Sequence, residues 1–208
     1  MATRRIRGRV RIMDFRLPAL VAFAFAAPAF AAETYRFDPV HTQVQFRVDH
    51  LGFSESEGEF HDLRGEFRFD RDDWAKSSCD VHIGVASLDM DDEAWNRKML
   101  ERDWFDVERF PEMRYRCLEV ERLDDRRGRI TGELTLRGIT RPVVLELRFN
   151  RAGIHKYSLK YTAGFMASTT IRRSDFGMVR YLPEIGDEIR IRLDIEGQRE
   201  GAKRERKK

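Results

Sequence analysis

The sequence predicts an all-β fold: an antiparallel barrel or sandwich of eight or more strands, with one short helix between strands. Three observations carry this expectation. Apolar and polar residues alternate with a period of two along most of the chain. A single stretch with helical spacing interrupts the alternation. Strands that are apolar on one side only pair antiparallel with one wet face, and a twisted sheet of that many strands curls or splits.

The alternation begins with Val44, Phe46 and Val48 against Gln43, Gln45 and Arg47. Phe67 and Phe69 mark a further strand, then Val81, Ile83 and Val85. The interruption is Asp89–Asp106, where Trp95, Met99 and Leu100 fall at helical spacing behind acids that suit a first turn. It predicts a helix over about residues 92–102. Phe110-Pro111 returns the chain to strands, read in Met113, Tyr115 and Cys117 and in Ile130, Leu134 and Leu136. Val143, Leu145, Leu147 and Phe149 follow, then Leu159, Tyr161 and Phe165, and finally Ile189, Ile191, Leu193 and Ile195.

Charge divides the chain differently from hydropathy. The 208 residues carry a net +3, and a basic chain invites a nucleic-acid partner. Residues 1–31 hold +5 and residues 199–208 hold +4, so subtracting both from +3 leaves −6 for 32–198. The body is acidic, which argues against nucleic acid. The first segment has the order of a secretory signal peptide: a basic stretch with Arg4 to Arg16, an apolar run from Leu17 to Ala27, and Ala29-Phe30-Ala31 before the cut. That run is shorter than the roughly 20 residues a spanning helix needs. The expected divisions are a signal peptide at 1–31, one barrel domain at 32–198 and a basic disordered tail at 199–208. The mature chain is expected in the periplasm, with the tail as a peripheral contact for anionic membrane.

The body resembles the YceI-like family of exported polyisoprenoid-binding proteins. The resemblance rests on Tyr35-Arg-Phe-Asp-Pro-Val-His41, Phe46, His50-Leu-Gly-Phe-Ser54 and Gly58-Glu-Phe60. It continues in Phe105-Asp-Val-Glu-Arg-Phe-Pro111, the run from Gly132 to Val143, Arg173-Ser-Asp-Phe-Gly-Met178 and Gly186-Asp-Glu. It implies an eight-stranded lipocalin-like antiparallel β-barrel around a long apolar lipid chain. One departure concerns the helix. Many members carry an acidic residue and a His ahead of its Leu, whereas Ala94-Trp-Asn-Arg-Lys-Met-Leu100 has no His.

On this reading Phe46, Val48, Ile83, Val85, Leu134, Leu136, Leu147, Phe165, Ile191 and Leu193 line the cavity. Each buried methylene of a polyisoprenoid, isoprenoid quinone or similar lipid gains about 0.8 kcal/mol there. The competing view is a barrel filled by its own side chains, acting as an interaction protein. Arg172, Arg173, Ser174 and Asp175, with His41 and His50, are head-group candidates, because guanidinium forks match phosphate oxygens. The structural alternative is an Arg–Asp pair closing the barrel end. Asp38, His41 and His50 at the mouth would suit a metal or hydrolytic site, but the histidine spacings match no ligand motif, so no metal, cofactor or enzyme activity is expected. Cys79 and Cys117 share the inward parity of their strands, which allows either a disulfide or two buried thiols. An exposed edge strand, or a mouth residue such as Trp104, would offer a homodimer contact.

Overall fold

The structure is a computed structural model in which residues 32–201 are described. The expected signal peptide and residues 202–208 of the expected tail lie outside the described residues. The strands are β1 (Glu33–Phe37), β2 (Gln43–His50), β3 (Ser54–Phe60), β4 (Leu63–Phe69), β5 (Ser78–Gly84) and β6 (Leu88–Asp89). After α1 (Glu93–Leu100) come β7 (Glu112–Arg122), β8 (Arg127–Leu136), β9 (Ile139–Ile154), β10 (Tyr161–Arg172) and β11 (Ile185–Arg199).

Eleven strands make eight staves. β1 and β2 both lie antiparallel along β11, Tyr35 opposite Arg199 and His50 opposite Ile185, with the turn at 38–42 as a break. β3 continues into β4 against that same bent stave, and β5 into β6 against the next. β7 to β11 follow as a simple meander, and β11 closes onto β1. This is an up-and-down antiparallel barrel. Closure pairs the staves around the ring, but β6 and residues 54–58 of β3 each have a strand neighbour on one side only.

The two ends of the barrel differ. One, here the helix pole, gathers α1, the turn at 51–53, the turn Arg137-Gly138 and the segment 173–184. The other, the terminal pole, gathers Glu33, Arg199 and the β4–β5, β7–β8 and β9–β10 connections. An aromatic stopper fills the terminal pole. Phe69 lies 4.9 Å from Phe165, 5.5 Å from Phe149 and 5.7 Å from Trp74, ring centre to ring centre, and Trp74 is 2% exposed. Edge-on and tilted contacts of this kind add about 0.5–1.5 kcal/mol per pair beyond area burial. Tyr35 stacks on Phe67 beside it, and burial raises the phenol's pKa, with Glu33 adding to the shift.

Several local expectations need correction. α1 begins at Glu93 because Asp92 caps it, accepting from Trp95 N at 2.8 Å. Its Met99 and Leu100 are partly buried, but Trp95 is exposed, so the apolar face is narrower than the sequence spacing suggests. Leu159 belongs to the β9–β10 turn at φ 58 and is exposed, not part of a strand. β11 runs into Arg199, which pairs with Tyr35, so the barrel extends one residue into the expected tail. Gly65 in β4 sits at φ 111 with the Asp80 carbonyl where a Cβ would stand, a position open only to glycine.

Candidate functional site

The inward residues of the staves enclose a cavity of about 210 Å3 whose wall is mostly apolar, with Arg68, Ser77, Ser78, Thr169 and Arg173 also bordering it. It runs from Phe69 and Ser78 near the terminal pole to Trp104, Arg173 and Ile185 at the helix pole. The alternation of each strand builds the wall. In β11, Ile189, Ile191, Leu193 and Ile195 point in, while Glu188, Arg190 and Arg192 point out and are exposed. Those four inward residues stay only partly buried although they line the interior. A filled core would cover them, and here they form part of the wall of a hollow.

Nine of the ten expected lining residues are on that wall: Phe46, Val48, Ile83, Leu134, Leu136, Leu147, Phe165, Ile191 and Leu193. Val85 is not. It opens a 3-10 turn at Val85–Ser87 that breaks the stave between β5 and β6, and its side chain packs in the core at 1% exposure. The wall also includes Phe105 and Met178 from the helix pole, which strand periodicity does not mark.

Cys79 and Cys117 are joined by a disulfide across neighbouring β5 and β7, with Cα atoms 5.1 Å apart. Both also line the cavity. The bond falls beside the bulge between Cys117 and Glu119 and spans the loop that carries α1.

The expected head-group cluster comes apart. Arg173 is 2% exposed and its guanidinium is given to the backbone. Nε donates to Gly186 O at 2.8 Å, Nη1 to Met178 O at 2.8 Å and Arg180 O at 2.9 Å, and Nη2 to Ile185 O at 2.8 Å. Burial pulls its pKa below the usual arginine value, with nearby Asp187 opposing. Ser174 donates from N and Oγ to the two oxygens of Asp187 at 2.9 and 2.8 Å. The acid that pins this turn is therefore Asp187. Asp175 and Arg172 are exposed on the outside. Gly177, at φ 77, ends the 3-10 turn Arg173–Phe176. The arrangement is the structural clasp of the barrel end, with a different acid from the one the sequence suggested.

The histidines do not converge. His41 Nδ1 lies 3.3 Å from Asp38 Oδ1 at the β1–β2 turn, and Glu196 is close by. Burial opposes, but the Val40 amide, His41 and Gln198 hold the Asp38 carboxyl below the usual range. His50 lies at the far end of β2, opposite Ile185, so a site joining Asp38, His41 and His50 is not formed. His61 instead faces Glu59, 3.2 Å away, with Asp89 near both. Trp104 is 8% exposed, so it is a wall residue and not a surface for a second copy.

Fold and site together define a class: an antiparallel barrel that encloses a largely apolar chamber and is clasped at one end by a buried arginine. Residues 35–197 match the model of the YceI-like domain, and the chain belongs to that family. It is 33% identical over 181 residues to the UPF0312 protein plu2095 of Photorhabdus laumondii subsp. laumondii, covering 86% of this chain and 93% of that one. The fold is similar to the crystal structure of Burkholderia cenocepacia BcnA, with TM-score 0.69 and 23% identity over 77% of this chain and 98% of that one. It is also similar to a polyisoprenoid binding domain from Saccharophagus degradans implicated in plant cell wall breakdown. That match has TM-score 0.59 and 14% identity, covering 80% of this chain and 98% of the other.

Proposed function

We propose that the protein is an exported carrier that holds a polyisoprenoid, isoprenoid quinone or similar long-chain lipid inside the barrel, without covalent chemistry. The observation that carries this reading is the predominantly apolar wall running between the two poles. An isoprenoid chain needs no polar partner along its length, and burial of its carbons supplies the binding free energy. The solved barrel of similar fold whose name states polyisoprenoid binding supports the same reading. The partly covered isoleucines of β11 favour a hollow over a filled barrel. Export to the periplasm accords with the segment 1–31 and with a disulfide, a bond that oxidising compartments preserve.

The test is to purify the mature protein from a bacterial periplasm, extract it with organic solvent and weigh what it carries. One long-chain lipid per chain is the expected result. Ile191→Trp, which pushes an indole into the chamber, lowers that occupancy while leaving the thermal transition in place. A protein that emerges empty, and takes up no isoprenoid from detergent when offered, overturns the reading.

A further inference from the structure

The acidic barrel carries a wholly basic projection. Between Glu146 and Asp175 the sequence holds six bases and no acid, although residues 32–198 sum to −6. Arg172 and Arg173 end this run at the helix pole. The other four, Arg148, Arg151, Lys156 and Lys160, belong to the β9–β10 hairpin at the terminal pole, and all four are exposed. β9 keeps β8 beside it as far as Arg148, opposite Arg127, then runs on through residues 149–154 with β10 as its partner. At about 3.3 Å per residue the hairpin extends about 20 Å along the strand past the end of β8.

The tip of this hairpin is apolar as well as basic. Ile154 is 58% exposed, Tyr157 84% and Leu159 75%. Isolated exposed hydrophobics are ordinary, but a cluster rimmed by charge marks a contact surface. The tip is also held in shape. His155 N donates to Lys160 O at 2.8 Å, Leu159 N to His155 O at 2.9 Å, and Ser158 N to His155 Nδ1 at 3.2 Å. Leu159 sits at φ 58, a conformation uncommon outside glycine, with its side chain in the open. The bases are left for an outside partner. Among the described residues none of the four forms a salt bridge, and nearby acids are already engaged: Glu146 by Arg129, Asp194 by Arg192 and Asp124 by Arg127. Lys160 donates to the neutral side-chain amide of Gln198 at 2.6 Å. The end of β11 lies against the base of the hairpin, the Arg199 guanidinium 4.3 Å from the centre of the Tyr161 ring. Residues 203–208 follow in sequence with five bases and one acid.

We infer that the β9–β10 hairpin is a membrane anchor: Ile154, Tyr157 and Leu159 dip into the interface of an anionic bilayer, and Arg151, Lys156 and Lys160 stay at the level of its phosphates. Apolar burial and attraction to anionic lipid add at such a surface. A tyrosine suits the boundary, with its ring in the apolar layer and its hydroxyl in water. A soluble polyanion such as nucleic acid would use the bases and leave the three apolar side chains in water. Nothing in this anchoring depends on what the chamber holds.

The experiment is cosedimentation of the mature full-length protein with vesicles of phosphatidylglycerol and phosphatidylethanolamine, and with vesicles of phosphatidylcholine. Binding to the first that weakens as salt rises, with little binding to the second, is expected. Lys156→Gln combined with Lys160→Gln is expected to lower partition about 25-fold, from about fivefold per charge. Tyr157→Ser combined with Leu159→Ser is expected to lower it about tenfold, with the thermal midpoint unchanged because both side chains are exposed. Depth is read in Tyr157→Trp, whose added emission is expected to be quenched by brominated phosphatidylglycerol. Binding that survives both double variants and disappears on deletion of residues 201–208 means that the tail alone adheres, which overturns the proposal. Loss with the charge variant but none with the apolar one, and no quenching, means adsorption without insertion and overturns it too. Equal binding to the two vesicles, or to neither, does the same. A failure here leaves the carrier reading standing, and an empty chamber on solvent extraction leaves the anchor standing.

Discussion

Arg173→Ala removes the one side chain that gathers the helix-pole segment into a closed end. Its guanidinium makes four bonds of 2.8–2.9 Å, all to backbone carbonyls between Met178 and Gly186. Bonds to a charged donor are each worth about 1.5–3 kcal/mol net, so a simple sum gives about 6–12 kcal/mol. Two effects reduce it. Arg180, whose carbonyl is one of the four, is an exposed residue, so water is at hand there, and the variant no longer has a charge to desolvate. The expected destabilisation is therefore about 3–5 kcal/mol, in the range for breaking a buried charged network. Urea unfolding followed by tryptophan fluorescence measures it, with the slope m checked against wild type so that only stability is compared. Arg173→Lys restores only part of the loss, because an ammonium has three donors and no planar fork. The two classes of prenyl ligand, phosphorylated and free alcohol, should weaken equally in Arg173→Ala, since the guanidinium serves the loop. A destabilisation below about 1 kcal/mol would refute the reasoning, because that is what one ordinary hydrogen bond contributes. So would a lysine variant as stable as wild type, or a selective loss of phosphorylated ligand.

Other expectations follow from single features. Reducing Cys79–Cys117, with a separation of 38 residues, releases loop entropy worth about 4 kcal/mol on the chain-entropy model. Calorimetry with and without reductant should show a midpoint lower by about 8–16 °C, and a change of only about 2 °C would contradict the chain-entropy account. Gly65→Ala forces a Cβ against the Asp80 backbone carbonyl at φ 111, and should cost about 2–3 kcal/mol in denaturant unfolding. The Asp124 carboxyl is held down to about 2 by the Arg126 amide, then by the Arg127 side chain and amide. A depressed carboxyl stabilises the fold above its unfolded pKa and loses that contribution as pH falls through the folded value. The protection of the Arg126 and Arg127 amides, measured as exchange relative to the intrinsic rate at each pH, should therefore fall between about pH 4 and 2, and protection that stays constant across that window would remove the carboxyl from the turn.

Strand alternation made most of the barrel legible because each inward residue meets only its neighbours on the wall. β11 is the clearest case, with four apolar residues at every second position and charges between. Cys79 and Cys117 were legible for the same reason, since parity alone put both inside. β3 escaped because its inward position 58 is glycine, the Phe46 ring and the Met90 sulfur occupying the space a side chain would take. Its remaining face is Ser and Glu, which looks like a loop in sequence. Val85 was misplaced because a 3-10 turn resets the parity, and no local residue announces that turn. The clasp was half visible. Arg173 was singled out, but the acid that pins its turn lies thirteen residues beyond Ser174 in the next strand, and only tertiary structure brings Asp187 to Ser174. The buried, unpartnered indole N–H of Trp104 had no sequence signal, because it is recognised only when its neighbours are known.

β11 closes the barrel onto β1, and this fixes more than the sheet. Arg199 bonds Glu33 at 2.5 Å and the Glu200 amide donates to Thr34 O at 2.9 Å, so both ends of the described chain leave the molecule side by side. They leave from the pole opposite Trp104. Anything joined next to residue 33 or residue 200, whether an affinity tag, a fluorophore or a solid support, therefore hangs from the same end. A sensor chip loaded through either of these positions would hold the barrel with the α1 end turned to the solution.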